Sequence, residues 1–312
     1  MTQRLIGVDV GGTKIAVALL DGTTLLEPVV QPTDTTSTDA LVTQLVNAVR
    51  AAGDVAAVGV AIPSVVDWET GRIRYSVNIP LQDVPLREVL REQLGVPVFV
   101  DNDATCAALA EAYDDDGRLV ARHLVMFTVG TGVGGGIVIG GRVYRGATGA
   151  AAEIGHTVVG ADLRRAPFAH GDDFPQPGTL ESLASGSALN EIARECGVAP
   201  GRVIGAARGG DAGAIAAIEL LGRRLGLGIA NAINTFDPDQ VVVGGGVSAA
   251  GELLLAPARE EAARFLLPGV GTRTEIRQAR HGPLAGVRGA ALLAGHELES
   301  ELEEAAREAA TR

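Results

Sequence analysis

Two glycine-rich turns are the segments of this sequence whose residue types could bind an anion. Gly11-Gly12-Thr13 separates two apolar, strand-like stretches at 5–10 and 15–20, and Gly130-Thr131-Gly132 separates similar stretches at 123–129 and 136–139. Without a Cβ at most positions, several backbone N–H groups of such a turn can approach one anion. Each threonine could add a hydroxyl donor. The spacing therefore predicts two matched phosphate-binding turns, about 120 residues apart.

The only lysine of the chain restricts how a phosphate could be held. Lys14 is followed by Ile15, so the P-loop pattern G-x-x-x-x-G-K-S/T cannot occur. The V-A-I-K setting of protein kinases is absent for the same reason. Every other basic residue is an arginine. Phosphate binding must therefore depend mainly on backbone amides.

The second glycine run also satisfies the pattern G-x-G-x-x-G over residues 130–135. In dinucleotide-binding proteins this fingerprint opens a helix. Here the next residues, 136–139, form a β-branched strand pattern, followed by Gly140-Gly141. The pattern therefore does not predict a dinucleotide site.

Length and charge limit the classes of function. The chain has 312 residues, enough for about two domains, and its net charge of −12 disfavours nucleic acid and anionic membranes as partners. Apolar runs stay well below the roughly 18 residues of a membrane span, and Asp9 and Lys14 interrupt the first one, which argues against a signal peptide. We expect a cytoplasmic protein whose two cysteines, Cys106 and Cys196, are buried and reduced.

Strand and helix patterns alternate in both halves of the chain. Further strands are predicted at 56–62, 96–100 and 240–243, and helices at 39–51, 83–94, 104–112, 187–196, 202–208, 212–234, 252–267 and 284–310. Residues 63–80 and a flap near 160–178 have no regular pattern. The repeated unit of strand, glycine turn and strand predicts a duplicated α/β core in two lobes, 1–119 and 120–312, with a ligand cleft between them. The terminal helix at 284–310 could pack back on the first lobe.

Five segments resemble one known family in order and spacing. They are Asp9-Val10-Gly11-Gly12-Thr13-Lys14, Asp101-Asn102-Asp103-Ala104, the run 130–136, Glu153-Ile154-Gly155-His156 and Val243-Gly244-Gly245-Gly246-Val247-Ser248. From residue 5 to about 295, the chain resembles the ROK family of bacterial sugar kinases, open reading frames and repressors. The resemblance implies the two-lobed, actin-like ATPase fold of hexokinases. It also implies ATP-dependent phosphorylation of a hexose hydroxyl, most simply the 6-OH of glucose.

The resemblance assigns the ATP and Mg²⁺ contacts. The matching residues are Asp9, Gly11, Gly12, Thr13, Lys14, Gly130, Thr131, Gly132, Gly244 and Gly245. The first two turns would bind the phosphates, and Gly244 and Gly245 would seat the adenosine. Asp9 would hold Mg²⁺ through water, which suits a cation that keeps part of its hydration shell.

The resemblance also assigns the sugar contacts and the catalytic base. The sugar-binding set is Asn78, Asn102, Asp103, Glu153, His156 and Glu181. Asp103 would be the general base. The sequence places it at the N-cap of a helix, where the helix dipole favours its ionised form.

The sequence departs from the family at two places. Many members carry a zinc-binding C-x-C-G-x-x-G-C-x-E stretch, whose cysteine positions fall here on Asp172, Phe174 and Thr179. Without these thiolates no structural zinc is expected. Ser64 stands where a glycine often follows Pro63. The acceptor is therefore left open among glucose, another aldose, N-acetylmannosamine and an amino sugar, as is the use of polyphosphate in place of ATP.

The family also contains sugar-sensing repressors, which carry a helix-turn-helix segment ahead of the first strand. Only residues 1–4 precede that strand here, so a repressor is a remote alternative. The resemblance further implies a homodimer or homotetramer, and the sequence itself gives no interface.

Overall fold

The computed structural model describes residues 3–76, 78–160 and 174–311, which divide into two compact units. Unit 1 comprises Met1–Val120, Gly141–Ala151 and Pro283–Arg312, and unit 2 comprises Ala121–Gly140 and Ala152–Gly282. The segment at 141–151 and the C-terminal helix thus belong to unit 1. Asp172 and the flap residues 161–173 lie outside the described residues.

Regular elements alternate along the chain. The strands are β1 (Arg4–Val10), β2 (Lys14–Asp21), β3 (Thr24–Leu25), β4 (Val29–Pro32), β5 (Ala57–Ile62), β6 (Ser64–Asp67), β7 (Arg72–Ser76), β8 (Val98–Asn102), β9 (Leu124–Val129), β10 (Val133–Ile139), β11 (Arg142–Val143), β12 (Gln240–Gly244) and β13 (Glu275–Gln278). The helices are α1 (Thr38–Ala51), α2 (Leu86–Leu94), α3 (Asp103–Ala112), α4 (Leu180–Ala184), α5 (Gly186–Glu195), α6 (Val203–Arg208), α7 (Ala212–Phe236), α8 (Glu252–Arg264) and α9 (Ala285–Ala310).

The main sheet of unit 1 has the order β3-β2-β1-β5-β8, with β4 also paired to β2. The strands β1, β5 and β8 run parallel, and β2 is antiparallel to β1. All six residues of β5 are buried, as expected for a central parallel strand that is covered on both faces. The parallel strands therefore deliver the residues that follow their carboxyl ends to one edge of the sheet.

Helix α9 packs against this sheet at backbone distance. A Cβ at Gly7 of β1 would lie 1.9 Å from the Val287 carbonyl oxygen, and one at Gly59 of β5 would lie 1.8 Å from the Ala290 carbonyl oxygen. Because no side chain fits in these gaps, glycine is required at both strand positions. This close packing fixes the start of α9 beside the end of β1.

In unit 2, β10, β9, β12 and β13 are adjacent in a sheet, with β9, β12 and β13 parallel and β10 antiparallel to β9. The long helix α7 packs on α8 and contributes Leu221, Leu225 and Ile229 to the buried core. This arrangement repeats the strand, glycine turn and strand of unit 1, as the sequence predicted.

Two local predictions were wrong. Residues 63–80 contain the β-hairpin formed by β6 and β7, whose short strands give too brief an alternation to recognise. Cys196 is exposed at the end of α5, whereas Cys106 is buried as expected. In the ranges that the structure describes, no helix combines the length and apolarity needed to cross a bilayer.

Candidate functional site

Three of the predicted residues lie at one edge of the unit 1 sheet. Asp9 of β1 is in register with Ala61 of β5, and Ala61 is in register with Asp101 of β8. Asn102 ends β8, and Asp103 follows as the first residue of α3. The order of parallel strands thus brings the Asp9 carboxylate close to Asp103; burial, and secondly the negative charge of Asp103, raise the pKa of Asp9.

Asn102, rather than Asp103, is the N-cap of α3. Its side-chain oxygen accepts hydrogen bonds from the backbone N–H groups of Ala104 (2.9 Å) and Thr105 (3.2 Å). The Asp103 Oδ1 atom also accepts from Ala104 N–H, at 2.8 Å. The predicted cap assignment of Asp103 was therefore wrong by one residue.

The electrostatic environment of Asp103 also differs from the expectation. The sequence predicted that the helix dipole stabilises the ionised form of Asp103, which makes it a carboxylate at neutral pH. In the structure, burial raises the pKa of Asp103 and outweighs the backbone hydrogen bonds that lower it. A carboxylate with a raised pKa binds a proton more readily, which suits a general base.

Asp9 has the properties of a cation ligand. Burial, and secondly the charge of Asp103, raise the pKa of Asp9 to about 6, while Lys14 opposes the shift. No hydrogen bond to the described part of the chain stabilises the Asp9 carboxylate. Two neighbouring carboxylates, one of them without a donor, match the oxygen ligands that Mg²⁺ prefers. The residues present therefore fit this cation.

The first glycine turn is held by Thr33. The Thr33 hydroxyl donates to the Gly11 carbonyl oxygen at 2.6 Å, and the Thr33 N–H donates to the Thr13 carbonyl oxygen at 3.2 Å. Because C=O and the following N–H point in opposite directions across a trans peptide, the Gly12 N–H is directed away from Thr33. A Cβ at Gly12 would lie 3.0 Å from the Asn78 Cβ, so Asn78 lies directly beside this turn.

The second glycine turn is held by the start of α5. The Gly130 carbonyl oxygen accepts from Gly186 N–H at 2.7 Å, and the Thr131 carbonyl oxygen accepts from the N–H (3.3 Å) and hydroxyl (3.0 Å) of Ser187. The same trans-peptide geometry directs the N–H groups of Thr131 and Gly132 away from α5. Both amides are thus arranged as an anion-binding turn requires.

Glu181 contacts the second turn directly, which sequence reasoning missed. Its Oε2 accepts a hydrogen bond from Val133 N–H at 2.7 Å. A Cβ at Gly132 would lie 2.3 Å from the same oxygen, so only glycine leaves room for the carboxylate. A residue predicted to bind sugar is therefore bonded to the turn predicted to bind phosphate.

The third glycine segment lies next to the second turn. Gly245 has a φ of +82°, and a Cβ there would lie 2.4 Å from the Val129 carbonyl oxygen, one residue before Gly130. Gly244 ends β12 and is in register with Thr128 of β9. The structure thus brings together the glycines predicted to bind phosphate and adenosine in unit 2.

Glu153 and His156 lie at the two ends of a short 3₁₀ helix, Ile154–His156. Their carboxylate and imidazole are 4.0 Å apart, and both side chains are more than a third exposed. A Cβ at Gly155 would lie 2.0 Å from the Val133 carbonyl oxygen, so the segment packs on the start of β10. The two exposed polar groups are therefore anchored near the second turn and available to a ligand.

At two of the three positions that carry cysteines in the family's zinc stretch, the side chains have other contacts. The Phe174 ring packs edge-on against the His156 ring at 5.5 Å between centroids. The Thr179 hydroxyl donates to the Gln176 carbonyl oxygen and accepts from Ser182 N–H at the start of α4. Within residues 3–76, 78–160 and 174–311, no group of three or more metal-ligating side chains is gathered.

The bond from Glu181 gives a testable difference between two carboxylates of the predicted sugar site. Glu181→Ala leaves the buried Val133 N–H without an acceptor and is expected to lower the free energy of unfolding by about 1–3 kcal/mol. Glu153→Ala removes an exposed side chain and should change it by less than about 0.5 kcal/mol. Urea unfolding of both variants checks this, and equal stabilities would contradict the structural role of Glu181.

Comparison with known proteins supplies the family context. The chain matches the model of the ROK family over residues 5–297. It is 37% identical to a glucokinase of Halalkalibacterium halodurans over 91% of this chain and 92% of the relative. It is 34% identical to an N-acetyl-D-glucosamine kinase of Salmonella paratyphi B over 92% of this chain and 98% of the relative. The crystal structure of a ROK family glucokinase from Streptomyces griseus, in complex with glucose and AMPPNP, matches with 33% identity and a TM-score of 0.76 over 94% of this chain and 99% of that one.

Proposed function

Since this chain belongs to the ROK family and has its actin-like ATPase fold, we propose that it transfers the γ-phosphoryl group of ATP to a hexose hydroxyl, most simply the 6-OH of glucose. The similarity to a glucokinase over nine-tenths of both chains supports a sugar phosphotransferase. The proposed chemistry is supported above all by Asp103 and Asp9. Their carboxyl groups lie at one edge of the sheet, beside the first glycine turn, and both have raised pKa values.

The glycine turns are proposed to bind the phosphates of ATP. In each turn, carbonyl oxygens are hydrogen-bonded to neighbouring elements, and the N–H groups of Gly12, Thr131 and Gly132 are directed the other way. Asp9 would hold Mg²⁺, which when bound neutralises phosphate charge and orients the phosphoryl group for transfer. Gly244 and Gly245 would seat the adenosine.

Asp103 is proposed to accept the proton of the sugar hydroxyl. As the hydroxyl oxygen forms its bond to the γ-phosphorus, the bond from that phosphorus to the bridging oxygen breaks and ADP leaves. The hydroxyl proton goes to the Asp103 carboxylate. The fixed hydrogen bond from Ala104 N–H to Oδ1 leaves Oδ2 for this proton.

The other sugar contacts are proposed for Asn78, Asn102, Glu153, His156 and Glu181. Their amide, imidazole and carboxylate groups supply the donors and acceptors that sugar hydroxyls require. The similarity to an N-acetyl-D-glucosamine kinase keeps an amino sugar as the alternative acceptor. A homodimer or homotetramer in the cytoplasm stays a prediction.

An assay of ADP formation over a panel of sugars tests the proposal. With ATP and Mg²⁺, we expect glucose to give the highest kcat/KM, ahead of mannose, N-acetylglucosamine, N-acetylmannosamine and glucosamine. Asp54→Asn, an exposed carboxylate, should leave every rate unchanged. If no sugar stimulates ADP formation, the kinase proposal fails. If N-acetylglucosamine is preferred, only the choice of acceptor is overturned.

A further inference from the structure

Arg145 forms a buried set of contacts that the proposed reaction does not use. Its side chain is 14% exposed, its Nε donates to Asp101 Oδ2 at 2.7 Å, and one Nη donates to Glu297 of α9 at 2.9 Å. The guanidinium carbon lies 3.3 Å from the centroid of the Trp68 ring, in the turn between β6 and β7. Arg145 therefore joins the segment at 141–151, the β6–β7 turn, α9 and the end of β8 within unit 1.

The contacts lead from Arg145 to the proposed base. Asp101 is almost fully buried, and its second oxygen accepts a hydrogen bond from Asn102 N–H at 2.8 Å. Asn102 then caps α3, the helix that begins with Asp103. A change in the orientation of the Asp101 carboxylate would therefore move Asn102 and, next to it, the Asp103 side chain that would take the proton.

The charges explain why Arg145 is needed. A buried carboxylate without a cation either takes up a proton or moves toward water. Arg145 supplies the positive charge, and its planar guanidinium can reach two carboxylates while it stacks on an indole ring. A lysine at 145 could neutralise one carboxylate, but it could not keep this geometry.

We infer that Arg145 is a positioning residue of the kinase: it holds Asp101 and thereby sets the positions of Asn102 and Asp103 relative to the sugar. This inference rests on the proposed function. It concerns the sugar side of the reaction alone, because none of these contacts involves the first glycine turn. Loss of Arg145 is therefore expected to change the KM for the sugar and to leave the KM for ATP unchanged.

The test compares Arg145→Met, Arg145→Lys and a matched control, Arg142→Met. Arg142 lies in the same segment and contacts the same helix, through a 2.6 Å bond to the Ser300 hydroxyl, but it is exposed. We expect Arg145→Met to lower kcat by about 10- to 100-fold and to raise the KM for glucose, with the KM for ATP unchanged. Arg145→Lys should be intermediate, and Arg142→Met should match the wild type.

A structural role would give a different result. If Arg145→Met only reduces the amount of folded protein, its apparent kcat falls and both KM values stay unchanged, which would overturn the inference. Wild-type values of kcat and both KM in Arg145→Met would also overturn it. If Arg145→Met folds poorly, the double variant Asp101→Asn/Arg145→Met removes the more deeply buried of the two charges that lose their partner and should restore folding. Its kcat should remain low and its KM for glucose high. Recovery of both parameters would also overturn the inference.

A second readout does not depend on turnover. Trp68 is the only tryptophan of the chain and stacks on Arg145, so its fluorescence reports this contact. Glucose binding should change the emission of the wild type and have little effect in Arg145→Met. Glucose-dependent emission in a wild type that forms no ADP would defeat the proposed function, and with it the role in the kinase reaction, while it would still support the coupling of Arg145 to the sugar site. ADP formation with equal emission changes in both proteins would do the reverse.

Discussion

Replacement of Asp103 by asparagine is expected to lower kcat by about 10²- to 10⁴-fold, with small changes in the KM values. The asparagine oxygen can still accept from Ala104 N–H, so the start of α3 is retained, but the side chain can no longer take the hydroxyl proton. Because phosphoryl transfer has a loose transition state, positioning by the remaining residues should leave measurable activity. Steady-state kinetics with ATP and glucose measure the loss.

The pH dependence of the wild type provides an independent check on Asp103. Burial raises the pKa of this carboxyl group, so the active, ionised form is lost as pH falls through that raised value. The acid limb of kcat/KM should therefore lie at higher pH than for an exposed aspartate. The part of that limb due to Asp103 should be absent from the residual activity of Asp103→Asn, in which the titration of Asp9 remains. A variant with more than a third of wild-type kcat would show that Asp103 is not the base.

The sequence indicates candidate site residues where the signal is local. Glycine turns between two apolar strands are recognisable from adjacent residues, because the turn and its pairing strands lie within about twenty positions. The same holds for Asp9 and for Asn102 with Asp103, which lie at the carboxyl ends of two buried strands. Because β1, β5 and β8 are parallel neighbours, Asp9, Asn102 and Asp103 then lie at the same edge of the sheet.

The interactions that orient these residues could not be predicted in this way. Arg145 meets Asp101 across 44 positions, and Glu181 meets Val133 N–H across 48 positions. Neither pair has a spacing that a helix or strand would impose. Such contacts depend on how the elements pack, which no periodicity reports.

The direction of the Asp103 pKa shift was mistaken for a related reason. The position at a helix start is visible in the sequence, and it favours the ionised form. Burial by the surrounding elements is a tertiary property, and its effect on the charged form is larger. The direction of a pKa shift at such a site can therefore be predicted only from the packed structure, even where the sequence indicates the residues.

We expect Asp9→Asn to lose most of the kinase activity and to make the ligand-free protein more stable. The Asp9 carboxylate is confined by α9, where a Cβ at Gly286 would lie 2.5 Å from its Oδ2. Among residues 3–76, 78–160 and 174–311, no hydrogen bond compensates for its burial. Asparagine has nearly the same shape and no charge, so the fold is retained. Loss of the proposed Mg²⁺ ligand should lower kcat by about 10²-fold or more.

The gain in stability should depend on pH with a defined sign. Because the pKa of Asp9 rises from 3.8 to about 6 on folding, the folded state binds the proton more tightly than the unfolded state. Wild-type stability from this group is fully present below pH 3.8 and is lost as pH rises through 6, by up to about 3 kcal/mol. Asp9→Asn lacks this loss, so thermal unfolding should show a higher Tm than wild type at pH 8 and a similar Tm near pH 3.5.

The exposed control Asp54→Asn should follow the wild type at both pH values. A constant Tm difference between Asp9→Asn and wild type across this range would mean that Asp9 is not the strained carboxylate, because only its ionisation makes the difference depend on pH.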